Sequence, residues 1–288
     1  MLDISGILKP SHRRTYAALL LHGTVGTQST AHALQFTNTL VLWCLDLLTM
    51  ASMDSSLVRV KTTLPTKPLP ANSTRQVLKT KRLIIRPLTP DDLEAMHSLR
   101  TQTKVMACTA LGRVDRDLAE TQTKLEPFLP PRDADTYNPA ICLATTGELI
   151  GLGGVYGTQS PLGWPEVGYM IRSEYWGRGY ATEFLRAFLQ MWWALPRSET
   201  EAWADGLSLV GVDAGEGAGG EVPEMLCAIV QATNIGSTRV LEKAGFRKFK
   251  TWKERSHRVE SGGSGGDEVT LVGFVAFGPE PQPGQHLG

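Results

Sequence analysis

The chain has 288 residues and a formal net charge of zero at pH 7. That length suits one large domain with extensions, and the lack of a basic field argues against a nucleic-acid partner. The four cysteines, Cys44, Cys108, Cys142 and Cys227, form no Cys-x-x-Cys pair, and the six histidines form no His-x-x-x-His or His-Glu-x-x-His motif. A disulfide framework, a zinc site and a metal enzyme are therefore disfavoured.

Residues 1–76 read as an N-terminal extension, mostly disordered or targeting, that need not belong to the mature protein. Arg13 and Arg14 precede the apolar run Ala17 to Leu21, which is too short for a secretory signal core. The apolar stretch Ala31 to Met50 is broken by Gln35, Asn38 and Asp46, which argues against a membrane span. The extension is rich in Ser, Thr, Arg and His and poor in acids. A cytoplasmic location is expected, with a mitochondrial address as the alternative if the extension is a transit segment. Residues 61–74, with Pro65, Pro68 and Pro70, read as a linker.

The domain is expected over 77–278. Leu83 and Ile85 alternate with Arg82, Ile84 and Arg86 before Pro87 stops the run, which predicts a first strand. Thr89-Pro90 starts a helix with Leu93, Met96 and Leu99 inward. A second helix is predicted from Asp117 to Phe128. Ala140 to Ala144 and Leu149 to Tyr156 read as antiparallel strands joined at Thr145-Thr146-Gly147-Glu148, with Gly151, Gly153 and Gly154 marking a bulge or close backbone approach. Trp164 to Arg172 is the next strand, and Gly177 to Leu195 a long helix. Residues 196–223 read as a glycine-rich insertion forming a surface loop. Met225 to Gln231 is a strand, and Asn234 caps a short helix closed by Gly245. Phe246 to Glu254 and Glu268 to Phe277 are the last strands, with a flexible turn at Ser261 to Gly266 and a disordered tail at 279–288.

The informative stretch is Trp164 to Thr182. Val167, Tyr169 and Ile171 alternate with Glu166, Gly168 and Met170, then Gly177 and Gly179 bracket Arg178. From Ala181 on, Phe184, Leu185, Phe188 and Trp192 recur at helical spacing. A strand entering a helix through a glycine turn gathers unpaired N–H groups and the positive helix end, so the turn suits a phosphate or pyrophosphate. A Rossmann site fits poorly, since Thr182 stands at the third glycine's place, and no Gly-Lys-Ser/Thr follows for a P-loop.

Three segments together resemble the GNAT superfamily of acetyl-CoA-dependent N-acetyltransferases, in its RimJ/RimL-like branch: Thr80 to Pro87, Glu166 through Glu183, and Asn234 through Phe246. The resemblance covers roughly Leu78 to Phe277. It implies an α+β (mixed α/β), three-layer fold with a central twisted mixed sheet splayed in the middle and flanking helices. It further implies that acetyl-CoA enters the splay, its pantetheine pairing with the strand edge at Met170, Ile171 and Arg172. The pyrophosphate would lie on the N–H groups of Gly177, Arg178, Gly179, Tyr180, Ala181 and Thr182. Trp176 replaces the family's usual Gln or Arg, so backbone contacts must suffice there. Asn234 would contact the pantetheine as well as cap its helix, and Ser237 would hydrogen-bond the CoA sulfur; no tyrosine stands in that segment to act as the acid.

Acetyl transfer needs an unprotonated amine, and Glu166 is the candidate general base, on the face of Gly168 and Met170. A backbone N–H near Met170 or Ile171 would polarise the thioester carbonyl. Cys142 and Cys227 read as core residues, and the basic run Arg247 to Arg258 as a solvated face. The expected activity is acetyl transfer to a primary amine, on a protein N-terminus or a small molecule, by direct attack in a ternary complex without a metal. The rival reading is a non-catalytic CoA-binding or regulatory module. Neither the acceptor nor the oligomeric state is specified by any motif.

Overall fold

A computed structural model describes residues 57–157, 160–212, 221–256 and 268–278. Readings that fall on 1–56, Ser261 to Gly266 and 279–288 lie outside the described residues. Apart from the one-turn helix Thr103–Met106 and short 3-10 turns, the elements in order are β1 (Leu57–Pro65), β2 (Leu78–Lys79), β3 (Leu83–Arg86), α1 (Leu93–Arg100), α2 (Leu118–Leu125), β4 (Ala140–Leu143), β5 (Leu149–Val155) and β6 (Val167–Ile171). They continue with α3 (Tyr180–Trp193), β7 (Arg197–Asp205), β8 (Met225–Gln231), α4 (Ile235–Lys243), β9 (Arg247–Arg255) and β10 (Glu268–Phe277).

The strands fall into a five-stranded sheet ordered β2-β3-β4-β5-β6, a three-stranded sheet ordered β8-β10-β9, and the pair β1-β7. Within each, neighbours run antiparallel. The five- and three-stranded sheets touch through one parallel bridge, Glu166 to Cys227, where the Cys227 N–H donates to the Pro165 carbonyl at 2.8 Å. Beyond that bridge β6 and β8 part, and this is the splay that the resemblance implied.

Side-chain alternation assigns the layers. Val167 and Ile171 of β6 and Leu226 and Ala228 of β8 join Phe184, Leu185, Phe188 and Trp192 of α3 in the main core. The three-to-four spacing of those α3 residues makes one apolar stripe, and all four are fully buried. The opposite face of the five-stranded sheet packs Ala140, Cys142 and Leu152 against Met96 and Leu99 of α1 and Leu125 of α2. The close approach signalled by the β5 glycines is real: a Cβ at Gly153 would come within 2.6 Å of the Tyr169 Cβ, and one at Gly154 within 2.0 Å of the Tyr137 carbonyl.

Two expectations are corrected. Residues 61–74 are not all linker, because β1 occupies Leu57–Pro65. The insertion at 196–223 is not all loop, because Arg197–Asp205 is a nine-residue strand. Each is the other's partner, in register from Leu57 opposite Asp205 to Pro65 opposite Arg197. Val60, Ala202 and Ala204 pack with Trp164, Met225 and Cys227 into a third core cluster. The pair therefore closes the sheet face behind β8. The buried Trp164 indole donates to the Ser208 hydroxyl at 2.9 Å, anchoring the segment after β7. No described helix is long and apolar enough to cross a membrane.

Candidate functional site

The turn between β6 and α3 is built by conformation before chemistry. Gly177 (φ 72°) and Gly179 (φ 82°) are left-handed, which a side chain with a Cβ adopts only at a cost. Gly179 is the N-cap of α3 and has no side chain to cap it. The first intrahelical bond is Glu183 N–H to Gly179 carbonyl, at 3.1 Å. The N–H groups of Tyr180, Ala181 and Thr182 consequently have no intrahelical acceptor, and they point with the helix dipole at one spot. Gly177 and Arg178 are exposed beside it.

A clamp that the sequence reading missed holds this turn. The Arg82 Nε–H donates to the Glu183 carboxylate at 2.7 Å, its backbone N–H donates at 2.8 Å, and the Thr80 hydroxyl donates at 2.6 Å. Arg82 also donates to the Arg178 carbonyl at 2.8 Å, and its guanidinium lies 4.5 Å from the Tyr180 ring centroid. Burial raises the Glu183 pKa, but these donors outweigh it, so its pKa is lowered overall. The partners stand 101 residues apart, so no local spacing betrays them. A cleft of about 520 Å³ lined by Arg82, Gly179, Thr182, Arg186 and Lys243 runs along this flank of α3, outside the splay.

The strand edge needs a finer reading than its residue numbers. The Arg172 N–H donates to the Ile150 carbonyl at 2.8 Å, and Met170 is paired with Leu152. By the period of two, the backbones of Gly168, Met170 and Arg172 serve β5, while Tyr169 and Ile171 turn theirs to the splay. Of the three expected edge residues, Ile171 alone aims its N–H into the gap. Its carbonyl is occupied, accepting from the Trp176 indole N–H at 2.6 Å. Trp176 thus ties the glycine turn back to β6. The Arg172 side chain pairs with Glu148 at 2.7 Å and Glu174 at 2.6 Å. Gln102, just after α1, accepts from the Ser173 N–H at 2.8 Å.

On the other wall, Asn234 caps α4: its side-chain oxygen accepts from the Ser237 N–H at 3.0 Å. That leaves the Asn234 amide group and the Ser237 hydroxyl at the helix mouth. Glu166 sits half-buried where the strands begin to part. Burial pushes its pKa up to about 7, against the lowering effect of a hydrogen bond from the Ile229 backbone N–H. Its neighbour Cys227 is fully buried. Burial first, and the Glu166 charge second, hold that thiol well above its usual pKa, so it is no nucleophile at neutral pH. Within the basic run, Arg247 donates to the Val210 and Ser208 carbonyls, Lys250 pairs with Asp205 and Lys253 with Glu268; these cations are engaged in structure. Arg258 lies outside the described residues.

The residues fit acetyl-CoA. Unpaired N–H groups and two left-handed glycines suit a pyrophosphate, and the parted strands offer an open edge to an extended arm. In comparisons with known proteins, the family described as acetyltransferase (GNAT) domain matches residues 82–247, more than half of the chain. Similar solved structures include a GNAT-family acetyltransferase from Bacillus anthracis (20% identity, 70% of this chain and 98% of that one, TM-score 0.47). Others are a spermidine N-acetyltransferase from Vibrio cholerae in complex with CoA and spermine (14%, 69% and 97%, 0.49) and an acetyltransferase from Agrobacterium tumefaciens (21%, 69% and 94%, 0.43). No curated protein matches significantly in sequence. The chain belongs to the acetyltransferase (GNAT) domain family and is an acetyl-CoA-dependent N-acetyltransferase.

Proposed function

We propose that the chain transfers acetyl to a primary amine, of a protein N-terminus or a small molecule, by direct attack in a ternary complex. Acetyl-CoA supplies the acetyl group and a thiolate leaving group. The N–H groups from Gly177 to Thr182 hold its pyrophosphate, and Asn234 together with the open edge of β6 orients its arm. The Ile171 N–H donates to the thioester oxygen as negative charge develops there. Glu166 takes the proton of the incoming amine, and Ser237 donates a hydrogen bond to the departing sulfur. No covalent bond to the protein forms.

The observation that carries this reading is the place of Glu166, a carboxyl group at the one bridge joining β6 to β8, where the strands begin to part; burial pushes its pKa up to about 7, which suits a base working at neutral pH. The test is thiol release from acetyl-CoA with a panel of primary amines, a polyamine, an aminoglycoside and a peptide with a free N-terminus. Intersecting initial-velocity lines are expected. Parallel lines would indicate a covalent acetyl-enzyme and overturn direct transfer. Tight CoA binding without turnover on any amine would favour the non-catalytic module.

A further inference from the structure

No tyrosine stands near Ser237 along the chain. In space there is one, contributed by the opposite wall. Tyr169 stands on the β6 face turned toward α3 and α4, packed partly into the main core. Its position is stringent: its Cβ lies against Gly153, where any added Cβ would meet it at 2.6 Å and Phe184 at 2.9 Å. The hydroxyl is buried and closes no hydrogen bond of ordinary length with any described group. The polar group it faces is the Ser237 side chain. Buried hydroxyls are seldom left this way, and such exceptions call for a reason. Ser237 is the complementary half. Its N–H is fixed on Asn234 at 3.0 Å, but its own O–H rotates among staggered positions until a partner selects one.

We propose that Tyr169 is a positioning residue for Ser237: the tyrosine O–H, directed across the splay, donates to the serine oxygen and so turns the serine O–H toward the leaving sulfur. The inference rests on the acetyl-transfer reading above. Burial pushes the Tyr169 hydroxyl up to about 12, against a lowering contribution from the Ser237 side chain, so it is a donor and never a base at working pH. In the transfer the C–N bond forms as the C–S bond breaks, the electron pair leaves on sulfur, and the amine proton passes to Glu166. Tyr169 gains and loses nothing; it lowers the cost of orienting the serine as charge reaches the sulfur.

The experiment compares the full chain with Tyr169→Phe, Ser237→Ala and the double variant. Steady-state thiol release with a responsive amine is one readout. The second is ultraviolet titration of the thiol of bound CoA, which needs no turnover. Tyr169→Phe removes one buried hydroxyl without changing the packing, and its melting temperature should match the parent. Expected are a fall in kcat of about tenfold with the acetyl-CoA KM unchanged, and a rise in the bound thiol pKa of about half to one unit. The double variant should be no worse than Ser237→Ala alone, since the tyrosine acts only through the serine. A Tyr169→Phe enzyme with parental kcat and parental thiol pKa overturns the inference, as do effects that multiply in the double variant. If no amine is acetylated, the acetyl-transfer reading fails, while the thiol titration still decides on Tyr169.

Discussion

The two faces of the five-stranded sheet treat their polar groups in opposite ways. On the α1 and α2 face, polar groups are spent on one another. Arg100 meets Asp115 through two bonds, at 2.6 and 2.8 Å, the Thr121 hydroxyl donates to the same carboxylate at 2.8 Å, and His97 reaches Thr121 at 2.7 Å. Arg86 likewise pairs with Asp92, which also accepts from the Thr89 N–H at 2.8 Å. On the α3 and α4 face, the first N–H groups of α3 have no intrahelical acceptor, and the Tyr169 hydroxyl has no such closure among the described residues. The first face is closed and rigid except where β6 alternation sets Glu166 on the side of Met170; the second is completed by a ligand. Mutations should accordingly cost stability on one face and binding or rate on the other.

The sharpest test is Gly179→Asp. It forces a side chain into a left-handed position and sets a carboxylate against the pyrophosphate, so CoA affinity should fall by at least about 100-fold in calorimetry. Retained affinity would remove the glycine turn from the binding site.

Next is Glu166→Gln. A loss of about 100- to 1,000-fold in kcat is expected for removal of a general base, with acetyl-CoA affinity unchanged. In the parent, log kcat/KM should rise with unit slope up to about pH 7, and this limb should vanish in the variant. Stability should move the other way. Glu166 and Glu224 both have folded pKa values of about 7, raised chiefly by burial, so the native state holds their protons longer than the unfolded chain does. Their contribution is full below about pH 4.5 and is lost as pH rises through 7. Urea midpoints should fall between pH 5 and 8, and fall less for Glu166→Gln. A variant with parental activity and a parental pH–stability slope would exclude Glu166 as the base.

On the closed face, Asp115→Ala strands the buried Arg100 charge and should cost about 3–5 kcal/mol in urea unfolding, while CoA affinity below the unfolding transition stays at the parental value. A change in affinity as large as for Gly179→Asp would break the division of labour. The smallest effect belongs to the border between the faces. Arg82→Ala frees a partly exposed clamp and should weaken CoA binding by about 3- to 10-fold, with kcat intact.

Much of the site-bearing half of the fold is legible in the chain. The strand at Met225–Gln231 and the Asn234 cap with its short helix follow from local signals, because hydrophobic period, caps and glycine breaks all lie within a few residues of what they determine. The β1–β7 pair escapes for a physical reason. On β7 the inward residues are the small Ala202 and Ala204, while the large Trp203 faces the other way, so the usual alternation is inverted. On β1 the alternation is sound, but its proline-rich setting and distant partner hide it. Within the candidate site, the directions of side chains and N–H groups are not legible in the sequence. Which of Met170, Ile171 and Arg172 presents its N–H to the splay depends on how β5 docks. That Tyr169 faces Ser237 depends on how far the two sheets part.

The β1–β7 pair also sets a timetable for synthesis. Arg59 and Glu201, which pair across it, are 142 residues apart. At elongation rates of about 5–20 residues per second, β1 waits roughly 7–28 s after emerging before its partner exists. During that interval Val58, Val60 and Leu64 offer an unpaired strand to any passing edge. Arg59, Lys61 and the terminal Pro65 punctuate that strand, the residue types that discourage intermolecular pairing. Neutralising Arg59 and Lys61 should thus lower the yield of soluble protein from the ribosome far more than it lowers the stability of protein already folded.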